Sequence, residues 1–206
     1  KDLGIMLKRT FDIFLSLIGI IGSSPLWVIF SLAIFIEHGL PIFYLQERVG
    51  KEGRIFKGIK FRSMVKDAEK DTGPVQAVEN DPRVTKMGRI LRATAMDELP
   101  QLLNILKGDM SFVGPRALRP KEREVHGNSA LTKIEDVPYY KERLAVRPGL
   151  TGLAQVYRPT DALRSEKFQY DLLYIKKQSF LLDLKLILLS FWITFRGKWE
   201  SREKKV

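Results

Sequence analysis

Two adjacent acidic residues, Asp97 and Glu98, are the side chains of this sequence best suited to chemistry, because they begin an otherwise apolar stretch, AMDELPQLLNIL. Neighbouring side chains on a helix project about 100° apart, so one carboxylate can attack a phosphorus atom while the other holds a metal ion. Acids at the start of a helix often serve only as partners of its dipole. Basic residues near this pair in sequence favour phosphate chemistry instead: Arg89, Arg92, Lys107, Arg116 and Arg119.

This chemistry predicts a magnesium cofactor (Mg2+), with Asp97 and Glu98 as its ligands. A bare carboxylate is repelled by a diphosphate, and a hard cation that binds both carboxylate and phosphate oxygens removes much of the repulsion. Arginines then bind phosphate oxygens bidentately, and a carboxylate that attacks phosphorus forms an acyl phosphate. The chain has no cysteine, and His38 and His126 stand alone in sequence, which argues against a cysteine or histidine metal site.

The composition limits the class of protein. The 206 residues are 45% hydrophobic and 29% charged, which excludes a wholly disordered chain and fits one domain, alone or with a membrane element. The net charge of +11 predicts anionic partners: nucleic acid, an acidic membrane surface or phosphorylated substrates. No nucleic-acid-binding motif is visible, so a basic membrane-anchored binding or scaffold protein is the weaker alternative to an enzyme.

The N-terminal part contains 24 uncharged residues, Ile13 to Ile36, which is enough to cross a bilayer that needs about 20. Ser24 and Pro25 lie at its centre. A proline removes one helical hydrogen bond, and serine hydroxyls can satisfy the freed carbonyls. Lysine and arginine flank the stretch on both sides, and the positive-inside rule places both flanks in the cytoplasm. These features favour a re-entrant helix broken at Ser24-Pro25 over a spanning helix, although kinked spanning helices also exist.

The next part of the chain predicts a small β-hairpin and two loops. Two strands, Ile42 to Glu47 and Arg54 to Phe61, flank a glycine-bounded turn. Residues 67–81 are polar and contain a Gly-Pro pair, which is typical of a mobile loop. A second loop-rich stretch covers residues 121–148.

Helical periodicity returns on both sides of the acidic pair. It covers residues 86–92 and again residues 99–106. Thr94, three residues before Asp97, and Pro100 both resemble helix-start signals. The sequence therefore predicts that the acidic pair begins a helix.

An apolar segment of 16 residues, Phe180 to Phe195, is too short to span a bilayer comfortably. Asp183, Ser190 and Thr194 recur at helical spacing along one narrow face, which is typical of an amphipathic helix in the membrane interface. A buried core helix explains the pattern equally well. The lysines and arginines after the segment favour an anionic lipid surface nearby.

The central block reads RATAMDELPQLLNILKGDMSFVGPR, from Arg92 to Arg116, and shorter motifs occur around it: QERVG, KFRSM, DPRVTKMG, RPGLTGLAQV and FQYDLLYI. In content and order these motifs resemble the bacterial sugar transferase family, the monotopic phosphoglycosyl transferases. The likeness runs from about Lys8 to Leu189. Ala117 stands where a second proline is common in the family.

The resemblance implies transfer of a sugar 1-phosphate from a UDP-sugar to polyprenyl (undecaprenyl) phosphate, with release of UMP, as the first membrane step of glycoconjugate synthesis. It implies Asp97 as the covalent nucleophile and Glu98 as its helper in binding magnesium. Arg92 and Arg116 match phosphate-binding positions of the family. Three more basic residues are candidates either for anion contacts or for solvated surface charges: Lys60, Arg62 and Arg147.

The resemblance also implies an arrangement in the membrane. Residues 1–40 form the re-entrant helix, with its break at Ser24 and Pro25. Residues 41–206 form a compact catalytic domain with the small β-hairpin and interfacial amphipathic helices, so the predicted fold class is α+β and mainly helical. This domain is expected on the cytoplasmic face of the bacterial inner membrane. Anionic lipid headgroups are expected as further partners, and nucleic acid is not. The sequence leaves open which sugar is transferred, which pathway it serves and whether the protein is a homo-oligomer.

Overall fold

The computed structural model describes residues 2–68, 81–125, 131–199, 201, 205 and 206. It confirms an α+β fold that is mainly helical. In chain order the elements are α1 Asp2–His38, β1 Phe43–Val49, β2 Ile55–Phe61, α2 Lys86–Ala93, α3 Gln101–Lys107, β3 Ser111–Val113, β4 Arg123–Val125, β5 Leu131–Lys133, α4 Tyr140–Arg143, β6 Gly149–Thr151, α5 Leu153–Tyr157, α6 Arg164–Lys177 and α7 Phe180–Phe195.

The predicted hairpin is confirmed, with strand limits that differ from the prediction by one or two residues. Strands β1 and β2 pair antiparallel, with Phe43 opposite Phe61 and Val49 opposite Ile55. The turn between them contains Glu52 and Gly53 at positive φ, a conformation that glycine adopts at no steric cost. The hairpin fixes which side chains of the two strands share a face.

Helix α1 runs without interruption through Pro25, so the expected break of the secondary structure at Ser24-Pro25 is wrong. Proline lacks the N–H that would reach the carbonyl of Ile21, four residues earlier. The hydroxyl of Ser24 donates to that carbonyl instead, at 2.8 Å, and Ser23 donates to Gly19 O at 2.6 Å. The hydroxyl of Ser24 thus satisfies the carbonyl that Pro25 leaves free, as the sequence predicted, and the helix continues.

Both ends of α1 contact the rest of the protein. Near its start, Lys8 Nζ lies 2.5 Å from Asp183 Oδ2 of α7, and Arg9 donates to the last carbonyls of α3. Near its end, Glu37 accepts from the first two amides of α2, at 2.9 and 3.1 Å. Between these ends, Phe30 and Ile34 pack against Phe61. The helix therefore lies along one body over most of its length.

The outer surface of α1 is apolar. Its stretch from Met6 to His38 is long and apolar enough to cross a membrane, and only 6% of its most apolar part is buried. Ile21 and Ile36 expose 72% and 82% of their surface. Exposed apolar surface of this extent marks a contact with a membrane or a partner.

Helix α7 has the predicted limits but turns its polar face inward. Asp183 accepts from Tyr174 at 2.7 Å, and Ser190 lies 2.5 Å from the hydroxyl of Thr151. Its opposite face exposes large apolar residues, including Leu181 at 77% and Phe195 at 87%. A fully buried core helix is therefore wrong, because only one face of α7 is covered by the protein.

The described part of residues 121–148 contains short elements as well as loops. Strands β4 and β5 pair antiparallel, and α4 follows them. The stretch is loop-rich, as predicted, and the sequence did not indicate its short elements because a three-residue ladder is too short to show periodicity. Of the other predicted loop, residues 69–80 lie outside the described residues. The RPGLTG motif supplies β6, which pairs parallel with β3.

Candidate active site

A tight turn between α2 and α3 presents the acidic pair. Thr94 ends α2 and donates its hydroxyl to Ile90 O at 2.9 Å, so its assignment as a helix start is wrong. Ala95 then adopts a left-handed conformation, with φ 56°, and Asp97 and Glu98 follow in a single 3-10 turn. Pro100 directly precedes α3, as the helix-start prediction requires, so the pair lies just before that helix.

Glu98 is held by two cations. Its Oε1 accepts from Arg116 at 2.8 Å and from Lys60 Nζ in a short hydrogen bond. Lys60 also lies 3.9 Å from Asp97 Oδ2, as an ion pair without a hydrogen bond. Asp97 and Glu98 are each only 8% exposed, so these charges interact with little screening by water.

A buried amide side chain sets the distance between Lys60 and the acids. Asn104 of α3 donates to Lys57 O at 2.8 Å and accepts from the amide of Ile59 at 3.0 Å. These two bonds attach β2 to α3 and fix the strand just before Lys60. Asn104 is 3% exposed. No local pattern indicates this role of Asn104, because it depends on a contact between residues 45 positions apart.

The two carboxyl groups have opposite electrostatic settings. Burial and the adjacent charge of Glu98 raise the pKa of Asp97 to about 6, although Lys60, Arg92 and Arg116 act in the other direction. Burial also raises the pKa of Glu98, but the charges of Arg116 and Lys60 outweigh it and hold that pKa well below its usual range. Glu98 is therefore a fixed anion, and Asp97 ionises near neutral pH.

A cavity of about 1070 Å³ joins the acidic pair to most of the predicted anion-binding residues. Lys60, Arg62, Arg92 and Arg116 all line it together with Asp97 and Glu98. Arg147 does not line this cavity. Its Nε donates to Gly108 O at 2.9 Å, and Gly108 ends α3, so Arg147 stabilises the end of that helix.

Several residues that line the cavity could not be identified from sequence patterns. Arg143 is the most consequential, because its guanidinium donates to Asp171 Oδ2 at 2.9 Å and to the carbonyl of Arg116 at 2.6 Å. Arg143 and Asp171 are both about 3% exposed. This buried pair fixes the backbone that carries Arg116. Asp171 lies within the FQYDLLYI motif, and this motif is the one feature of the sequence that could have indicated the pair.

The acidic pair fits a hard divalent cation such as magnesium. Within the described part of the chain, the carboxylate of Asp97 accepts no hydrogen bond, and Glu98 uses only Oε1. Among the described residues, no histidine, cysteine or further acidic residue lies close enough to the pair to act as a third protein ligand. Water and substrate phosphate oxygens would supply the other ligands, and Mg²⁺ commonly binds in that way.

Comparison with known proteins assigns the chain to a family. The family model described as bacterial sugar transferase matches residues 3–197, nearly the whole chain. The chain belongs to the bacterial sugar transferase family. As a member of this transferase family it is a phosphoglycosyl transferase, and the resemblance inferred from its motifs is confirmed.

The relatives of this transferase include proteins of polysaccharide production. An exopolysaccharide production protein of Rhizobium leguminosarum bv. phaseoli is 42% identical over 188 residues, covering 89% of this chain and 92% of the relative. A UDP-glucose:undecaprenyl-phosphate glucose-1-phosphate transferase of Klebsiella pneumoniae is 39% identical and covers 96% of this chain, which spans 42% of that protein. A UDP-N-acetylgalactosamine-undecaprenyl-phosphate N-acetylgalactosaminephosphotransferase of Aeromonas hydrophila is 39% identical, covering 88% of this chain and 42% of the relative.

Proposed function

We propose that this transferase moves a sugar 1-phosphate from a UDP-sugar to polyprenyl phosphate, releasing UMP, through a covalent intermediate on Asp97. The observation that carries the proposal is the unequal state of the two acids. Lys60 and Arg116 both bind Glu98, whereas the carboxylate of Asp97 accepts no hydrogen bond from the described residues. A nucleophile must offer an unshared oxygen, and Asp97 does.

In the first step an oxygen of Asp97 attacks the phosphorus that carries the sugar. A new P–O bond forms to Asp97, the P–O bond to the UMP oxygen breaks, and UMP leaves with its electron pair. The raised pKa of Asp97, about 6, leaves most of the side chain ionised at pH 7 and keeps the oxygen more nucleophilic than an ordinary aspartate. Lys60, Arg92 and Arg116 offset the negative charge that gathers on the phosphates.

In the second step an oxygen of polyprenyl phosphate attacks the same phosphorus. The P–O bond to Asp97 breaks, which frees the carboxylate and leaves a polyprenyl diphosphate sugar. Magnesium, held by Asp97 and Glu98, would supply Lewis-acid stabilisation of the diphosphate oxygens. Glu98 stays ionised throughout because two cations bind it, so it keeps Lys60 and Arg116 in place for both steps.

The exposed apolar surfaces of α1 and α7 support a reaction centre at the edge of a membrane. Because Lys8 and Glu37 contact the same body, and are about 44 Å apart along a straight helix, a spanning α1 would draw that body through the bilayer. We infer that α1 instead enters and leaves one leaflet and that α7 lies in the interface with Leu181 and Phe195 in the lipid. The basic flanks assign this leaflet to the cytoplasmic face.

This arrangement suits the two substrates, since one dissolves in water and the other is a lipid. The cavity is lined by Gly19 and Leu26 of α1 as well as by Asp97, so the reacting groups lie beside the membrane helix. A cysteine reporter at the first residue and one in the catalytic body should react with an impermeant reagent from the same side of sealed vesicles. Labelling from opposite sides would disprove the re-entrant topology.

The central test compares Asp97→Asn with wild type and with Asp136→Asn, a change at an exposed acid outside the cavity. Wild type and the control should release UMP, and no UDP, from a labelled UDP-sugar and should retain a covalent phosphosugar. Asp97→Asn should lose the adduct and the transfer together, by at least about 10³-fold, as removal of a covalent nucleophile does. An adduct that persists in Asp97→Asn would assign the nucleophile to another residue.

A further inference from the structure

Arg62 has a buried guanidinium group, and most of its donors find no partner among the residues that the structure describes. The residue is 6% exposed. One terminal nitrogen, Nη2, donates to Gly39 O at 2.7 Å, whereas Nε and Nη1 are buried and find no acceptor among the described residues. In the described part of the chain, no carboxylate pairs with Arg62. Buried donors in native proteins are nearly always satisfied, so this arrangement indicates that a ligand completes it.

The position of Arg62 relates it to the reaction centre. Arg62 and Lys60 are two residues apart and line the same cavity as Asp97. Along a strand that spacing is roughly 7 Å, so Arg62 lies one pleat beyond the lysine that binds the acidic pair. An anion bound at Arg62 would therefore share the cavity with Asp97 and lie one pleat from Lys60.

The end of the hairpin that carries Arg62 lies beside an apolar surface. Its backbone amide donates to Ile42 O at 2.8 Å, and its side chain binds Gly39, which directly follows α1. The surrounding segment exposes Ile36 at 82% and Leu40 at 68%, and these side chains continue the apolar surface of the membrane helix. A lipid can keep its chain in that surface while its phosphate reaches Arg62.

The other end of the hairpin carries the concentrated positive charge. Tyr44 lies opposite Lys60, and Arg48 lies four residues further along β1, roughly 13 Å away. Burial, together with the nearby positive charges of Arg116 and Arg119, lowers the pKa of Arg48 to about 10. A water-soluble diphosphate matches this basic end, and a lipid monophosphate matches the apolar end.

We propose that Arg62 binds the phosphate of the acceptor lipid and orients its attacking oxygen from the membrane side of Asp97. The assignment rests on the proposed function and deepens it, because it separates the acceptor subsite from the donor subsite within one cavity. The shared chemistry is a phosphate on a lipid, which either the polyprenyl acceptor or an ordinary anionic phospholipid carries. The acceptor is the occupant assigned to Arg62.

The test uses the full chain in nanodiscs of zwitterionic lipid, with three variants. Arg62→Gln removes the charge, Arg62→Lys keeps it with different donors, and Arg54→Gln is the matched control. Arg54 lies at the turn of the same hairpin, away from Arg62, and its side chain is 85% exposed. For each protein, equilibrium binding is measured with polyprenyl phosphate, with polyprenol and with a UDP-sugar, and adduct formation is followed without acceptor.

Arg62→Gln should weaken polyprenyl phosphate binding by about tenfold or more, the usual scale for a lost charged hydrogen bond. Its affinity for polyprenol and for the UDP-sugar should stay within about twofold. Arg62→Lys should lie between Arg62→Gln and wild type, and Arg54→Gln should match wild type. If Arg62→Gln does not fold, judged by circular dichroism, the Arg62→Lys measurements decide by the same criteria.

Three results would overturn the assignment. Unchanged binding of polyprenyl phosphate would show that Arg62 does not hold it, and an equal loss of UDP-sugar affinity would assign Arg62 to the donor. Equal competition by phosphatidylglycerol would identify a general headgroup site. If wild type forms no adduct but binds polyprenyl phosphate in an Arg62-dependent way, the proposed function fails and the assignment of Arg62 stands.

Discussion

Replacing Lys60 by methionine should move the pH at which Asp97 becomes a nucleophile. The ammonium group of Lys60 lies 3.9 Å from Asp97 Oδ2 and favours the ionised form. At that distance the Coulomb energy is about 1 kcal/mol at the dielectric constant of water and about 4 kcal/mol at an effective value near 20. Since about 1.4 kcal/mol corresponds to one pKa step, the substitution should raise the pKa of Asp97 from about 6 to roughly 7 to 9.

The consequence is a loss of activity that alkaline pH restores. Asp97 attacks only when ionised, so activity appears as pH rises through its pKa. At pH 7 roughly 90% of wild-type Asp97 is ionised, against between about 1% and 50% in Lys60→Met. Adduct formation from a UDP-sugar, measured without acceptor between pH 5 and 9.5, should show an acid limb displaced upward. Lys57→Met, on the same strand, is the control.

Two results would contradict an electrostatic role of Lys60 in the ionisation of Asp97. If Lys60→Met loses activity by the same factor at every pH, Lys60 contributes by binding substrate and not by setting the ionisation of Asp97. An acid limb that stays near the wild-type pH would have the same meaning. Recovery at pH 9 together with an unchanged limb in Lys57→Met would support the charge of Lys60 as the cause.

Two further predictions concern the metal and the core. Removing divalent metal with a chelator should abolish both UMP release and the Asp97 adduct, and added Mg²⁺ should restore both. The reason is that the carboxylates of Asp97 and Glu98 repel a diphosphate unless a cation offsets the negative charge. Full activity in metal-free buffer would contradict this account. Leu186→Ala, at a position with no exposed surface on α7, should lower the free energy of unfolding in detergent by about 2–5 kcal/mol. Leu181→Ala, on the exposed face of the same helix, should unfold like wild type, and equal destabilisation would show that both faces are packed.

Local patterns of the sequence determined much of the secondary structure. The hairpin is readable because alternating strand residues surround a glycine-bounded turn, and α7 is readable because an apolar run of 16 residues has the length of a helix. The acidic pair is likewise easy to recognise, since two charged residues within an apolar stretch indicate a specific role. These signals depend on neighbours within a few residues, so they can be recognised without knowledge of the fold.

Other local expectations failed because a second interaction replaced the predicted one. Pro25 does not end α1, since Ser24 satisfies the carbonyl that the proline leaves open. Thr94 closes a helix when it was expected to open one, because Ala95 reverses the backbone directly after it. The residue types indicate which groups can compensate for a lost hydrogen bond, and the folded structure decides which of them does.

The tertiary structure alone decided how the site works. The difference between Asp97 and Glu98 arises from Lys60 and Arg116, which come from separate segments and both bind the second acid. The same packing directs Arg147 to the end of α3, although in sequence it looks like any other basic residue of a motif. A charge acts through its distance and its burial, and both are set by the folding of distant segments against one another.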